Sequence, residues 1–365
     1  MQYHMESPVG ARTIINGIEV DYFAGCGYLG LQSHPQVLKA AWEAINQFGI
    51  STATSRGGYG ENVIYDDLEN ETRVYFGAEE ILYFASGYLG MAILTQASGK
   101  AHDHYFIDSE AHFNLWDAAS ASNHAITVFH HLQAESLEET INKDLEMGER
   151  PIVLSDGVFP ISGEIAPLPD YLEVVKPFGG LVYVDDAHAA GVLGKNGRGS
   201  AEYFDIQDDH CRTTATLSKA LGGWGGVIWG DAGWIEGVDR GSRVMEGASP
   251  PPLVMAAASA KALQIAHNHP ELRRQLWLNV AQVRAGLRVL GWEMEDTPVP
   301  IICLRGNERI NLSRLQTRLF EKGLAVEYVR HYSSTPPGGA IRIAIFATHS
   351  QEQIDRLLEE IGKFV

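Results

Sequence analysis

One lysine in this chain has neighbours that could turn an amine into a reagent. Lys219 lies in Thr216-Leu217-Ser218-Lys219-Ala220-Leu221-Gly222-Gly223, and the upstream run Leu181-Val182-Tyr183-Val184 ends in Asp185-Asp186-Ala187-His188. An acid at a strand mouth, a histidine three residues on and a lysine among hydroxyls and glycines are what pyridoxal 5'-phosphate (PLP) requires. Its aldehyde needs an amine for a Schiff base, its pyridine nitrogen a carboxylate that keeps it protonated, and its 3'-oxygen a donor such as His188. Held in that way, the ring draws electrons from a carbanion next to nitrogen. Taken singly, each feature has a plainer reading: a solvated surface lysine, an ordinary strand end, a satisfied core histidine. Their joint occurrence with the segments below favours the chemistry.

Ser86-Gly87-Tyr88-Leu89-Gly90 follows a strand-like run and opens a helix-like one. Small residues there let backbone N–H groups and a helix N-terminus face an anion, which suits the phosphate of PLP. The segment lacks the third glycine of a dinucleotide fingerprint and the lysine of a nucleotide-phosphate loop, so a nucleotide is disfavoured. Thr216 and Ser218 offer further hydroxyl donors. His112, just past Asp108-Ser109-Glu110-Ala111, could stack on a pyridine ring, although alone it is a histidine at a helix start. Asp156 in Leu154-Ser155-Asp156-Gly157 could accept from the cofactor or orient a neighbour, although Asp before Gly also makes turns.

The elements that must position these residues follow from the apolar runs. Ile81–Ala85, Tyr105–Ile107, Ala125–Phe129, Ile152–Ser155, Leu181–Val184, Thr213–Leu217 and Val227–Trp229 have strand length, and most are continuously apolar, as strands buried on both faces are. Helical patterns such as Tyr88–Ala97, Asn114–Ala121 and Leu137–Leu145 separate them. The pattern predicts an α/β fold with a mostly parallel seven-stranded sheet and helices on both faces. Ser86, Asp108, Asp156, Asp185 and Lys219 then fall at or just past strand ends, where such sheets bind ligands. Beyond Pro250-Pro251-Pro252 an Ala-rich helix is expected over Leu253–His267 and another over Glu271–Leu290. A shorter alternation closes the chain: Ile301–Leu304, Leu312–Lys322, Ala325–Val329, Ile341–Phe346 and Gln351–Lys363. The expected division is a large PLP-binding domain over 51–250, connecting helices over 251–290 and a small α+β domain over 291–365. Residues 1–50 are expected to pack with the small domain.

Bulk properties narrow the partners. The chain has 365 residues, 45% of them hydrophobic and 20% charged, and its 28 basic against 46 acidic side chains leave a net charge of −18. That excess disfavours nucleic acid and anionic membrane surfaces. Cys26, Cys211 and Cys303 are isolated, which suggests neither disulfides nor a zinc site and fits a soluble protein of a reducing compartment. No apolar stretch has the length of a membrane-spanning helix. The close pairs His102/His104, His130/His131 and His267/His269 lack metal-site spacing with a third ligand, so no metal is expected. Localisation is expected to be cytoplasmic.

Val184–Gly199, Thr216–Gly223 and Ser155–Phe159 resemble motifs of the α-oxoamine synthase family, fold-type-I PLP enzymes that join an amino acid to an acyl-CoA thioester. The likeness extends through Tyr28–Pro35, Thr54–Gly60, Ser86–Tyr88, Ser249–Pro252 and Ile341–His349. It implies Lys219 as the Schiff-base lysine and proton-transfer group, Asp185 as the pyridinium partner, His188 at the 3'-oxygen and His112 over the ring. It implies Gly87, Tyr88, Thr216 and Ser218 at the phosphate, and Arg342 as the fork for the amino-acid carboxylate. In such enzymes the freed lysine removes the α-proton, the carbanion attacks the thioester carbonyl, and CoA and usually CO₂ leave. His112 or His188 would steady the developing oxyanion. Ser249 matches a segment that reaches the partner subunit's site, implying a homodimer with shared active sites.

Three positions depart from the family pattern. Gly27 replaces an asparagine before Tyr28, only 27 residues precede Tyr28, and Glu246-Gly247-Ala248 replaces a hydroxyl-rich stretch. A different acyl donor or a different reaction on the same cofactor fits these changes. An aminotransferase of the same fold is the rival reading, but such enzymes carry tyrosine or glutamine where this chain has His188. A silent structural subunit is a third, opposed by the retained Lys219.

Overall fold

The computed structural model describes residues 2–98, 103–306, 310–332, 335 and 338–364. The chain begins with a hairpin of β1 (Arg12–Ile15) and β2 (Ile18–Tyr22). Asn16-Gly17 turns it with both residues at positive φ, 51° and 74°. That conformation matches the twist of the flanking strands and favours Asn-Gly.

Seven strands then form the central sheet: β3 (Glu80–Phe84), β4 (Asp103–Asp108), β5 (Ala125–Phe129), β6 (Arg150–Asp156), β7 (Leu181–Asp185), β8 (Cys211–Thr216) and β9 (Gly226–Gly230). Their order is β3-β9-β8-β7-β6-β4-β5. β9, between β3 and β8, pairs antiparallel with both. The pairings β8–β7, β7–β6, β6–β4 and β4–β5 are parallel. All seven lie where the apolar runs place them. β4 is buried along its whole length, while β5, the edge strand, leaves Ile126 and Val128 exposed. An edge strand needs apolar residues on one side only, so burial on both faces does not extend to it.

The parallel register puts chemistry in one row. Asp156 pairs with Asp185, and Asp185 with Thr214, so the ends of β6, β7 and β8 present acids and hydroxyls side by side. The turn after Lys219 docks against residues far upstream. Gly222 has φ 63°, and a Cβ there would meet the backbone nitrogen of Gln32 at 2.6 Å and Leu31 Cβ at 2.6 Å. Only glycine fits, and its fit brings the Tyr28–Gln32 segment against the lysine loop.

The Ala-rich helix Leu253–Asn268 packs chiefly on the helices Pro35–Phe48 and Val63–Phe76 rather than flat on the sheet. Its Ser259 hydroxyl accepts from the Trp224 amide at 2.8 Å, pinning the end of the lysine loop. Downstream, β10 (Ile301–Arg305), β11 (Leu324–Ala325), β12 (Glu327–Val329) and β13 (Ala340–Ala344) complete two small sheets. The segment predicted as one strand over Ala325–Val329 is divided. β11 pairs with β2, and β12 pairs with β13. Buried Val326 stands between them as the chain passes from one sheet to the other. β13 carries Arg342 opposite Cys303 on β10 and Glu327 on β12.

Candidate active site

Lys219 follows β8 by three residues, and its amine lies 2.7 Å from His188 Nε2. Burial, reinforced by the nearby Arg342 cation, holds the Lys219 pKa below its ordinary value, against the pull of Cys26, Asp185 and Asp156. His188 is itself buried at 5% exposure. Burial, and then the neighbouring Lys219 and Arg342, drive its pKa well below the usual histidine range. His188 is therefore neutral at pH 7. Its Nδ1 lies 2.8 Å from the hydroxyl of fully buried Tyr28.

The two adjacent acids at the end of β7 have separate tasks. Asp185 accepts from the Ala187 amide at 2.9 Å and from Asn114 Nδ2 at 2.7 Å. Asp186 turns the other way, accepting from the Ser200 amide at 2.9 Å and hydroxyl at 2.5 Å, so it fixes the Gly199–Ser200 bend. Burial pushes the Asp186 carboxyl up to about 7. Asp156 lies beside Asp185 and accepts from the His112 amide at 2.8 Å. Burial, then repulsion from Asp185, raises its carboxyl well above the usual carboxylate range.

His112 caps the helix Phe113–Ser120, and its Nδ1 lies 2.6 Å from Asn114 Oδ1. Asn114 thus joins His112 to Asp185 through the two ends of one carboxamide. The ring of Tyr88 stands edge-on to His112 with centroids 6.1 Å apart, and Tyr332 contributes a third ring 5.8 Å from His112. Ser86 caps the turn Gly87–Leu89 by accepting from the Tyr88 amide at 3.3 Å. A Cβ on Gly87 would meet Thr216 Cβ at 2.5 Å, so this turn can lie against β8 only as glycine. The Thr216 and Ser218 hydroxyls are 2.8 Å apart.

This donor set fits PLP. A partly buried amine, a neutral imidazole, a buried carboxylate already fixed by two donors and a rim of hydroxyls with a backbone turn all converge on the ends of β6, β7 and β8. Arg342 joins from the small sheet. Its Nε donates to the Pro160 carbonyl at 2.7 Å, Nη1 to the Gly25 carbonyl at 2.9 Å and Nη2 to the Tyr28 hydroxyl at 3.2 Å. Ser249 stands apart. It is exposed and lines a cleft of about 1010 Å³ with Arg56, Ala85, Leu89 and Arg243, whose walls include neither Lys219 nor His188. This cleft is therefore not where the amine, the imidazole and the acids meet.

The family model for aminotransferase class I and II matches residues 26–361. The 8-amino-7-oxononanoate synthase of Thermoanaerobacter pseudethanolicus is 32% identical over 363 residues, covering 98% of this chain and 92% of that one. A putative 8-amino-7-oxononanoate synthase of Desulforudis audaxviator is 33% identical over 360 residues, covering 98% and 92%. The chain belongs to the α-oxoamine synthase family. A serine palmitoyltransferase of S. paucimobilis with bound PLP shares the fold of this α-oxoamine synthase at a TM-score of 0.92 and 25% identity, covering 99% of this chain and 92% of that one. The protein is a PLP-dependent acyltransferase, and its reaction class is the condensation of an amino acid with an acyl thioester.

Sequence reasoning singled out neither Tyr28 as a partner of His188 nor Asn114 as a partner of Asp185. The first lies 160 residues from its partner and the second 71. The Tyr28 motif was visible, but nothing in its spacing pointed to His188. It also gave no weight to the carboxylates around His131. Glu110, His131 and Glu164 place one ligand atom each within 4.8 Å of one another. There His131 Nδ1 is 2.7 Å from Asp108, and Nε2 lies 3.4 Å from Glu164, so the group is an ion-pair cluster.

Proposed function

We propose that this α-oxoamine synthase binds PLP through Lys219, with Asp185 facing the ring nitrogen, His188 at the 3'-oxygen and His112 over the ring. Ser86, Gly87, Tyr88, Thr216 and Ser218 would hold the phosphate, and Asp156 would fix His112 through its backbone. When bound, the cofactor supplies an electron sink for negative charge at the carbon next to the substrate nitrogen. The chain's own residues do the rest. Lys219, its pKa lowered, takes the α-proton of the amino acid near neutral pH. Arg342 orients the substrate carboxylate, and neutral His188 offers a hydrogen bond without competing for the proton. His112 or His188 would steady a developing oxyanion on the thioester carbonyl.

The observation that carries this reading is the 2.7 Å contact between Lys219 Nζ and His188 Nε2 beside two buried carboxylates. The substrates are read as a small α-amino acid and an acyl-CoA. Visible spectra of the PLP-loaded protein, recorded with glycine, alanine or serine and then with acyl-CoAs added, test it. A spectral change on adding one amino acid, followed by CoA release only when an acyl-CoA is present, is expected. Conversion of a 2-oxo acid without CoA release would replace this reading with an aminotransferase.

The same reading includes the division into a large domain over 51–250 and a small one over 291–365, and a cytoplasmic homodimer. Among the described residues no helix is long and apolar enough to cross a membrane. The Ser249–Pro252 segment is stiffened by three prolines, and the Tyr65 hydroxyl donates to the Pro251 carbonyl at 2.7 Å. An arm so fixed suits a two-fold interface in which each subunit completes the other's site. Sedimentation at micromolar concentration tests the dimer. Mixing a Lys219→Ala chain with one altered at Ser249–Pro252 tests the sharing, because recovered activity requires a site built from both chains.

A further inference from the structure

The contacts around Lys219 form a chain whose direction is fixed at one end. Arg342 Nη2 lies 3.2 Å from the Tyr28 hydroxyl oxygen. A guanidinium has donors only, so the phenol oxygen accepts there. That oxygen is 2.8 Å from His188 Nδ1, and between this nitrogen and the Cys26 sulfur the nitrogen is the stronger acceptor for its single proton. A neutral imidazole that accepts at Nδ1 carries its proton at Nε2. His188 Nε2 is 2.7 Å from Lys219 Nζ, and an Nε2–H can donate there only to a nitrogen with a lone pair. The reverse direction is the weaker one. An ammonium donating to Nε2 places the imidazole proton on Nδ1, which then donates to Tyr28, and the hydroxyl proton is left with the Cys26 sulfur, a weaker acceptor than an imidazole nitrogen.

We infer that Tyr28 is a positioning residue: oriented by Arg342, it holds His188 in the Nε2–H tautomer and so keeps Lys219 a neutral amine. The inference rests on reading Lys219 as the cofactor lysine. A neutral amine is what that role requires, first to attack an aldehyde and later to take a proton. Arg342 is itself held by the Pro160 and Gly25 carbonyls, with Glu327 3.6 Å away. Tyr28 is fully buried, so its hydroxyl depends on Arg342, His188 and Cys26 instead of water. The charges nearby do not all agree. Arg342 and burial favour the neutral amine, while Cys26, Asp185 and Asp156 favour the ammonium; His188 is faced by Lys219, Arg342 and His112. Directed hydrogen bonds therefore decide a balance that charge alone leaves contested.

The test follows the rate at which apo-protein takes up PLP, read as visible absorbance in stopped flow from pH 6 to 10. Tyr28→Phe keeps the ring that fills the core and removes the hydroxyl. The inflection of its pH profile should move up by about one unit, making uptake at pH 7 about tenfold slower. Arg342→Gln should move it the same way, and adding Tyr28→Phe to Arg342→Gln should give little further shift. An unchanged inflection in folded Tyr28→Phe overturns the inference. Should that variant not fold, the ¹⁵N shifts of His188 in the wild-type apo-protein decide: a proton on Nε2 supports the inference and one on Nδ1 overturns it. A pyridoxyl group mapped to another lysine overturns the reading beneath it, and the inference with it.

Discussion

His188 and His131 both lie just past strand ends of one sheet, and burial works against the charged form of each. Their neighbours divide them. His188 faces Lys219, Arg342 and His112, and its pKa is driven well below the ordinary value. His131 is also opposed by burial, but hydrogen bonds to Asp108 and Glu164 prevail and push it up to about 9. Burial sets the size of the cost, and the sign of the charge across the gap decides which protonation state bears it. One histidine is left neutral and able to pass a hydrogen bond to an amine. The other is a charged staple between β4, the loop after β5 and the Ser162–Glu164 loop.

The sharpest way to break this comparison is to remove an acid from each region. Asp185→Asn should lower turnover by ~10²–10⁴-fold with little change in thermal stability, because the amide still fills the space but no longer holds a ring nitrogen protonated. Equal losses of stability and turnover would count against its role. Asp108→Asn should do the opposite. It leaves the His131 cation without its nearest acid and should cost about 1–3 kcal/mol of stability by denaturant titration. Turnover of the folded fraction should be largely retained.

Stability against pH sharpens it further. The His131 pKa is raised on folding from 6.5 to about 9. Its contribution is therefore fully present below pH 6.5, declines as pH rises, and is lost above about 9, amounting to roughly 3 kcal/mol at most. Denaturation midpoints between pH 6 and 10 should fall in wild type and flatten in His131→Gln. A limb that persists unchanged in His131→Gln would assign it to other groups. The smallest effect concerns Arg342→Lys, which keeps the charge and loses the fork. It should raise the KM for the amino acid about tenfold with a lesser effect on kcat. A defect confined to kcat would move Arg342 out of carboxylate binding.

The sheet was legible because strands buried on both faces tend to be continuously apolar, and most of the seven carry such a run; β8, Cys211-Arg212-Thr213-Thr214-Ala215-Thr216, is largely buried yet rich in hydroxyls. β5 was found by the same signal although its outer face is exposed. The β1–β2 hairpin was not anticipated, even though Asn16-Gly17 is a strong turn signal, because its strands are short and partly exposed. The division of Ala325–Val329 was invisible because one extended run serves two sheets, a fact of tertiary packing. In the site, Lys219, Asp185 and His188 could be read from strand-end positions. Tyr28 and Asn114 could not, since their partners are set by docking across the fold: Gly222 against Leu31 for the first, the cap of one helix beside β7 for the second.

The central claim is that Lys219 is the amine that carries the cofactor, and covalent mapping tests it most directly. The protein is loaded with PLP, reduced with borohydride and digested, and the pyridoxyl-bearing peptide is sequenced by mass spectrometry. The expected label is on Lys219, within Thr216–Gly223, and absent from that peptide in Lys219→Ala. Stoichiometric label on any other lysine, or none in a protein that still turns over, would contradict the account.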